Sequence, residues 1–215
     1  MPLPKALRRI TPDAMRDNPR LRAVAVGAGL IPPRVMHAPE EADALRELAS
    51  GRRVVVEIGV YEGSSALVLI SAMPPGSELH LIDPFVDESG WALPAGWGAT
   101  EQATRKVVAR AQRSGGPSVR WYVERSQDVG RRWQEPVDFV FIDGDHSPQG
   151  VKEDWDAWSP HVKPGGVVAF HDARGTSEGP QQVVNELFYG ATPREGWEMV
   201  KEVATLVAVR RTGDW

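Results

Sequence analysis

The chain has 215 residues, 41% of them apolar and 25% charged, a composition that suits one well-buried globular domain. It contains no cysteine, which excludes a disulfide framework, thiolate metal ligands and a cysteine nucleophile. The formal net charge of −4 is uneven: residues 1–36 hold Lys5, Arg8, Arg9, Arg16, Arg20, Arg22 and Arg34 against Asp13 and Asp17, so this segment carries +5 and the remainder −9.

Taken in order, residues 1–39 hold several prolines and short, weakly periodic pieces, which predict one or two short helices. Their most apolar stretch, 23–31, contains Gly27 and Gly29 and runs into Pro32-Pro33; it makes neither a signal-peptide core nor a membrane span, and a cytoplasmic protein is expected. The basic residues could steer an anionic substrate or contact nucleic acid. No aromatic residue interleaves with the arginines, which favours a helical appendage packed on its own or a neighbouring subunit, and hence self-association; the acidic remainder disfavours nucleic acid. A helix over 40–50 follows, with Ala42, Leu45, Leu48 and Ala49 on one face and Gly51 ending it.

Strands and helices then alternate. Strands are predicted at 54–58, 78–82, 119–123, 137–142 and 167–170, and helices at 64–73, 100–113, 127–133, 149–159 and 181–188. A long loop over 85–99 carries Trp91 and Trp97, which serve either as an aromatic lid or as surface packing. Two last runs, 198–202 and 205–209, are spaced for a hairpin. This alternation predicts an α/β fold with a doubly wound, mainly parallel sheet of seven strands ending in a C-terminal antiparallel hairpin. The near-continuous apolar runs FVFI at 139–142 and VVAF at 167–170 agree with burial on both faces. The expected division is a basic helical segment over 1–39 and one ligand-binding domain over 40–215.

In such a sheet ligands sit outside the carboxyl ends of the strands. Glu57, Asp83, Ser126, Gln127, Asp143, His171 and Asp172 are therefore expected to line one crevice. The first strand ends in Glu57-x-Gly59-x-x-x-Gly63, with Ser64 and Ser65 opening the next helix. Glycine lets a ligand approach the backbone, and the free amides of a helix start favour anionic groups; the same turn also serves as a plain strand-to-helix connection. It is not the G-x-G-x-x-G of dinucleotide sites. A carboxylate at Glu57 suits an ammonium group, and Asp83 suits a ribose diol. S-adenosylmethionine carries both.

From VEIGVYEGSS at 56–65 through HLIDPF at 80–85 to the terminal strand pair, the sequence resembles the class I S-adenosylmethionine-dependent methyltransferases, whose sheet is Rossmann-like. RSQD at 125–128 resembles the adenine-contacting segment of the metal-dependent catechol-type O-methyltransferases. FIDGDHS at 141–147 and KPGGVVAFHD at 163–172 are similar to small bacterial families that methylate sugar hydroxyls and hydroxylated natural products. The resemblance covers residues 40–210. It implies cofactor contacts from Glu57, Gly59, Tyr61, Gly63, Ser64, Ser65, Asp83, Ser126, Gln127 and Asp143. It implies Mg²⁺, or another divalent ion, between Asp143, His171 and Asp172, activating the acceptor hydroxyl. It makes His146, with Asp143, the catalytic pair, His146 being the general base.

The sequence departs from those families at His171, where they usually carry a carboxylate; histidine is a poor Mg²⁺ ligand and a better one for a transition metal. Other roles compete at each position. Asp143 and Asp172 could cap loops, His171 could replace His146 as the base, and Asp145 either orients His146 or is solvated. Trp155 and Trp158 are expected in the core with Asp154 and Asp156 facing water, while His37, His80 and His161 are read as structural or exposed. The alternatives to an O-methyltransferase are a non-catalytic adenosyl-ligand or assembly module and an NAD(P)-dependent reductase, the last disfavoured by the missing third glycine.

Overall fold

The computed structural model of the chain describes residues 18–86, 100–112, 116–175 and 178–213. Trp91 and Trp97, like Lys5, Arg8, Arg9 and Arg16, lie outside the described residues. Helix α1 (Pro19–Gly27) starts where the Asn18 side chain accepts the amides of Arg20 and Leu21 at 3.1 and 3.2 Å, with Pro19 at the first helical position. It is seated on α4 (Glu101–Ala111), where Arg110 donates to the carbonyls of Gly27 at 2.7 Å and Val26 at 2.8 Å. The segment is thus no solvated basic arm from residue 18 onward. Arg22 is itself buried in a two-pronged ion pair with Glu62, both contacts 2.6 Å.

Seven strands form one sheet in the order β3-β2-β1-β4-β5-β7-β6, where β1 is Val54–Ile58, β2 Glu78–Ile82, β3 Ser118–Tyr122, β4 Val137–Ile142, β5 Val162–Phe170, β6 Trp197–Val203 and β7 Leu206–Arg211. The first five are parallel; β7 runs antiparallel to both β5 and β6. Successive residues of a strand face opposite sides. Val55, Phe139, Phe141 and Ala169 accordingly pack with Leu45 and Leu48 of α2 (Pro39–Ala49) and Leu69 of α3 (Ser64–Ala72). Val56, Val140, Val168 and Phe170 pack on the other face with Trp155 and Trp158 of α6 (Pro148–Trp158) and with Val183 and Val184 of α7 (Glu178–Val184). Both tryptophans are core, as expected. No helix among the described residues is long and apolar enough to cross a membrane.

Three local differences from the sequence reading have physical causes. Strand β5 begins at Val162 rather than 167, because Lys163-Pro-Gly-Gly continues the strand past an irregularity in its pairing with β4 between Val137 and Phe139. The last helix is displaced towards its start and ends in a π-helical turn, Asn185–Tyr189. Asp154, expected to face water, is buried, while Asp156 is exposed. Positions 151, 154, 155 and 158 share one helical stripe, so Asp154 goes inward with Val151, Trp155 and Trp158.

The register brings the strand ends level. Ile58 pairs with both Ile82 and Ile142, and Ile142 with Phe170. The first residue beyond each strand still donates its amide to the neighbour: Asp83 to Tyr122 at 3.1 Å, Gly59 to Ile82 and Asp143 to Ile58 at 2.9 Å, and His171 to Ile142 at 3.0 Å. The ladder therefore places Asp83, Gly59, Asp143 and His171 in one row, and strand order reverses between β1 and β4 within it.

Candidate active site

The turn after β1 is built on left-handed backbone at Gly59, Tyr61 and Gly63, with φ of 84°, 49° and 86°. Asp83 holds it in place: its Oδ2 accepts the amides of Val60 and Tyr61 at 2.9 and 2.8 Å, and its Oδ1 that of Phe85 at 2.6 Å. Its first role is thus to shape the turn. Burial, set against these three amides, leaves its carboxyl raised above the ordinary range. Glu62 faces α1, accepting from Arg22 and from the Arg34 amide at 2.6 Å. No side chain caps the start of α3, which follows Gly63; Ser64 is half-buried there. The Ser65 hydroxyl turns inward and donates to Glu57 Oε1.

Glu57 is wholly buried, and its Oε2 has no hydrogen-bond partner among the described residues. Burial pushes its carboxyl up to about 8, with Ser65 opposing and the charges of Asp143 and Asp83 adding to the rise. An unpartnered carboxylate oxygen here suits a donor from outside the chain, and a cationic one best.

At the end of β4, Asp143 Oδ1 lies 3.5 Å from His146 Nε2 and 2.9 Å from His171 Nδ1. Asp172, in left-handed backbone with φ of 52°, brings its Oδ2 to 3.9 Å from His146 Nδ1 and 3.7 Å from His171 Nδ1. His171 is buried, and its Nε2 sits 3.4 Å from Oε2 of Glu41 on α2. Desolvation would lower the His171 pKa, but the pairing with Asp143 and the charges of Asp143, Asp172 and Glu41 prevail and raise it to about 9. His146 is the accessible member, 44% exposed; the pairing with Asp143 outweighs its partial burial and raises its pKa. Asp143 moves the opposite way, burial being overcome by the two histidines. A small crevice lined by Asp143, His146, Val151, Phe170, His171 and Pro180 opens here. Asp145 shapes the turn by accepting the Ser147 amide at 2.7 Å.

Ser126 and Gln127 open α5 (Ser126–Arg131) beyond β3, and both donate to Oδ1 of the buried Asp154, Gln127 at 2.8 Å. Burial, together with the charges of Asp145 and Glu153, raises Asp154 to about 7 against the Ser126 hydrogen bond.

Residues 56–173, more than half of the chain, match the family described as a methyltransferase domain. A protein of Mycobacterium sp. (strain JLS) named "Putative O-methyltransferase" is 30% identical over 205 residues, which span 93% of this chain and 79% of the relative. The chain belongs to the class I S-adenosylmethionine-dependent O-methyltransferases. Its fold is shared by the O-methyltransferase TomG of Streptomyces achromogenes, solved with S-adenosylmethionine, at 21% identity and a TM-score of 0.61, covering 92% of this chain and 91% of TomG. It is shared too by an O-methyltransferase of Bacillus cereus solved with S-adenosylhomocysteine, at 19% identity and a TM-score of 0.60, covering 94% and 93%.

In this methyltransferase the residues expected of the cofactor side, Glu57, Gly59, Tyr61, Gly63, Ser64, Ser65 and Asp83, lie on one turn and its brace. Those expected of the acceptor side, Asp143, His146, His171 and Asp172, lie across the strand-order reversal. Ser126 and Gln127 stand at the β3 end with their polar groups engaged by Asp154. The expected Mg²⁺ ligands do meet, yet among the described residues no group of three or more His, Asp or Glu side chains is arranged to hold a metal ion. His171 stands between the carboxylates, and both its ring nitrogens are buried without a hydrogen-bond partner among the described residues. The donor set presents two carboxylates and an imidazole, and the imidazole does not fit a hard cation that takes oxygen ligands.

Sequence reasoning missed Glu41 and Asp154. Both fall on the apolar stripes of their helices, Glu41 with Leu45 and Leu48, and Asp154 with Val151, Trp155 and Trp158. An acid on a buried stripe was the available signal. His80 and His161 are structural: His80 packs edge-on against Trp133 and is pushed down to about 4 by burial, while a His161 ring nitrogen meets the Gly130 carbonyl at 2.9 Å.

Proposed function

We propose that this methyltransferase moves the methyl group of S-adenosylmethionine to a hydroxyl of a small molecule, a sugar or a hydroxylated natural product, with His146 as general base and Asp143 as its partner. The observation that carries this reading is the position of His146: an accessible imidazole set between Asp143 and Asp172 at the strand ends, on the same edge as the glycine turn. The bound cofactor supplies an electrophilic methyl on a sulfonium centre. The turn and Glu57 hold its methionine end, Glu57 Oε2 accepting from the ammonium, while Ser126 and Gln127 border the adenine. His146 removes the acceptor's hydroxyl proton as the oxygen bonds to carbon and the carbon–sulfur bond breaks. Asp143 and Asp172 steady the imidazolium that results.

The test is His146→Ala assayed on a panel of hydroxylated acceptors, with S-adenosylhomocysteine binding measured by calorimetry. Turnover should fall by about 10²- to 10⁴-fold while cofactor affinity is retained. Undiminished turnover would remove His146 from the reaction. Cofactor binding without turnover of any acceptor by the wild-type protein would favour a non-catalytic adenosyl-binding module.

A further inference from the structure

Asp154 stands where packing alone would place an apolar side chain. It lies on the inward stripe of α6 with Val151, Trp155 and Trp158, is 1% exposed, and has no cationic partner among the described residues. Burying an acid without a cation opposes folding, so its place is explained by what it holds. Two consecutive residues of α5 donate to one of its oxygens, Oδ1: the Ser126 hydroxyl, and Gln127 Nε2 at 2.8 Å. The frame around this contact is stiff. The Trp158 indole donates to the Ser126 carbonyl at 3.2 Å, and a Cβ on Gly130 would come within 2.9 Å of the Ala157 Cβ, so α5 and α6 have no room to slide past each other.

A side-chain amide has one donating and one accepting end. With Nε2 drawn onto Asp154, the accepting end of Gln127, Oε1, is left without a partner among the described residues, on a side chain that is only half-buried. Adenine carries a donor on its base edge, the exocyclic amine, where hypoxanthine has a carbonyl. We propose that Asp154 is a positioning residue for base recognition: it turns the Gln127 amide so that Oε1 accepts from the adenine amine of the cofactor and opposes the carbonyl of a hypoxanthine base. The proposal rests on the reading that Ser126 and Gln127 border the adenine, and it gives Asp154, acting through Gln127, the choice of base.

The test compares, by calorimetry on the full chain, S-adenosylhomocysteine with S-inosylhomocysteine, its deaminated counterpart. Wild type should bind the adenine compound at least about tenfold more tightly. D154L, which suits the apolar stripe but accepts nothing, should lose most of that preference, the ratio falling to within about threefold of unity. D154N, whose Oδ1 can still accept from Gln127, should keep it. That split separates positioning from a merely structural role, which would weaken both compounds alike. A folded D154L that keeps the wild-type ratio while Q127A loses it would overturn the inference and leave the adenine reading standing. A wild-type protein without preference, or a Q127A with the wild-type ratio, would overturn both. Should D154L not fold, the Gln127 side-chain amide of the wild type decides. With S-adenosylhomocysteine bound, its protons should exchange at least about tenfold more slowly than those of the exposed Gln149, and equal exchange would overturn the inference.

Discussion

Gly59 and Asp143, the first residues beyond β1 and β4, meet backbone to backbone: a Cβ on Gly59 would overlap the carbonyl oxygen and carbon of Asp143. The glycine turn after β1 and the Asp143 backbone therefore share one wall at the point where strand order reverses. Any shift in one is felt by the other, because neither side has slack at that contact.

Gly59→Ala should accordingly be far more damaging than its size suggests. Left-handed backbone for a non-glycine residue costs roughly 1–3 kcal/mol, and the overlap with Asp143 adds to it. We expect S-adenosylhomocysteine affinity to fall by about tenfold or more, together with a lowered denaturation midpoint. Gly51→Ala is the control: its φ of 75° is similar but a Cβ there would meet nothing within 4 Å among the described residues, so it should lose about 1 kcal/mol and keep the cofactor. Equal effects of the two substitutions on binding would show that the Gly59–Asp143 contact does not matter.

Glu57, titrating near 8 in the free protein, is mostly protonated at pH 7. An ammonium group at Oε2 would favour the carboxylate, so cofactor binding should release protons at pH 7. Calorimetry in buffers of different ionisation enthalpy reads that release directly. Glu57→Gln should abolish it and weaken binding; a wild-type protein that releases none would place the ammonium elsewhere.

With His146 as the proposed base, the pH dependence of kcat/KM should report on it. A base works in its neutral form, and the pairing with Asp143 raises this imidazole above its ordinary 6.5, so activity should rise with pH through a limb lying above that value. Asp172 also raises the pKa, through its charge. Asp172→Asn should therefore move the limb towards lower pH. A limb that stays in place, or moves up, would mean that a different group is titrating.

Arg22 and Glu62 tie α1 to the turn after β1 as a buried pair, and removing one partner of such a pair leaves the other charge uncompensated. Arg22→Ala should cost about 3–5 kcal/mol in chemical denaturation, and the double variant Arg22→Met, Glu62→Gln distinctly less. A single variant as stable as wild type would mean that water reaches Glu62 in solution.

Much of the fold was legible because its signals are local. Alternating apolar runs and helical stripes placed the strands and most helices to within a few residues, and the row of polar residues at the strand ends followed from the parallel topology alone. Glu57 could be singled out as a charge inside an otherwise apolar strand, and Asp83, Asp143, His146 and Asp172 because each follows an apolar strand or stands in a turn, where a charged side chain has no packing role. Glu41 and Asp154 could not be picked out the same way, since each reads as one more acid in a helix until its stripe is seen to be buried.

What the amino-acid sequence determined by itself is the order of elements, the family and which residues stand at the carboxyl ends of the strands, because periodicity and motif spacing are properties of neighbours along the chain. The tertiary structure alone decided what those residues face. Asp83 is taken up by the amides of its own turn, Arg22 is folded inward onto Glu62, and Ser126 and Gln127 are held by an acid from α6. His171 lies between Glu41 and Asp143, which are 102 positions apart in sequence, the difference of their residue numbers. Only the packing of α2 against the sheet brings the Glu41 carboxylate to 3.4 Å from the His171 ring.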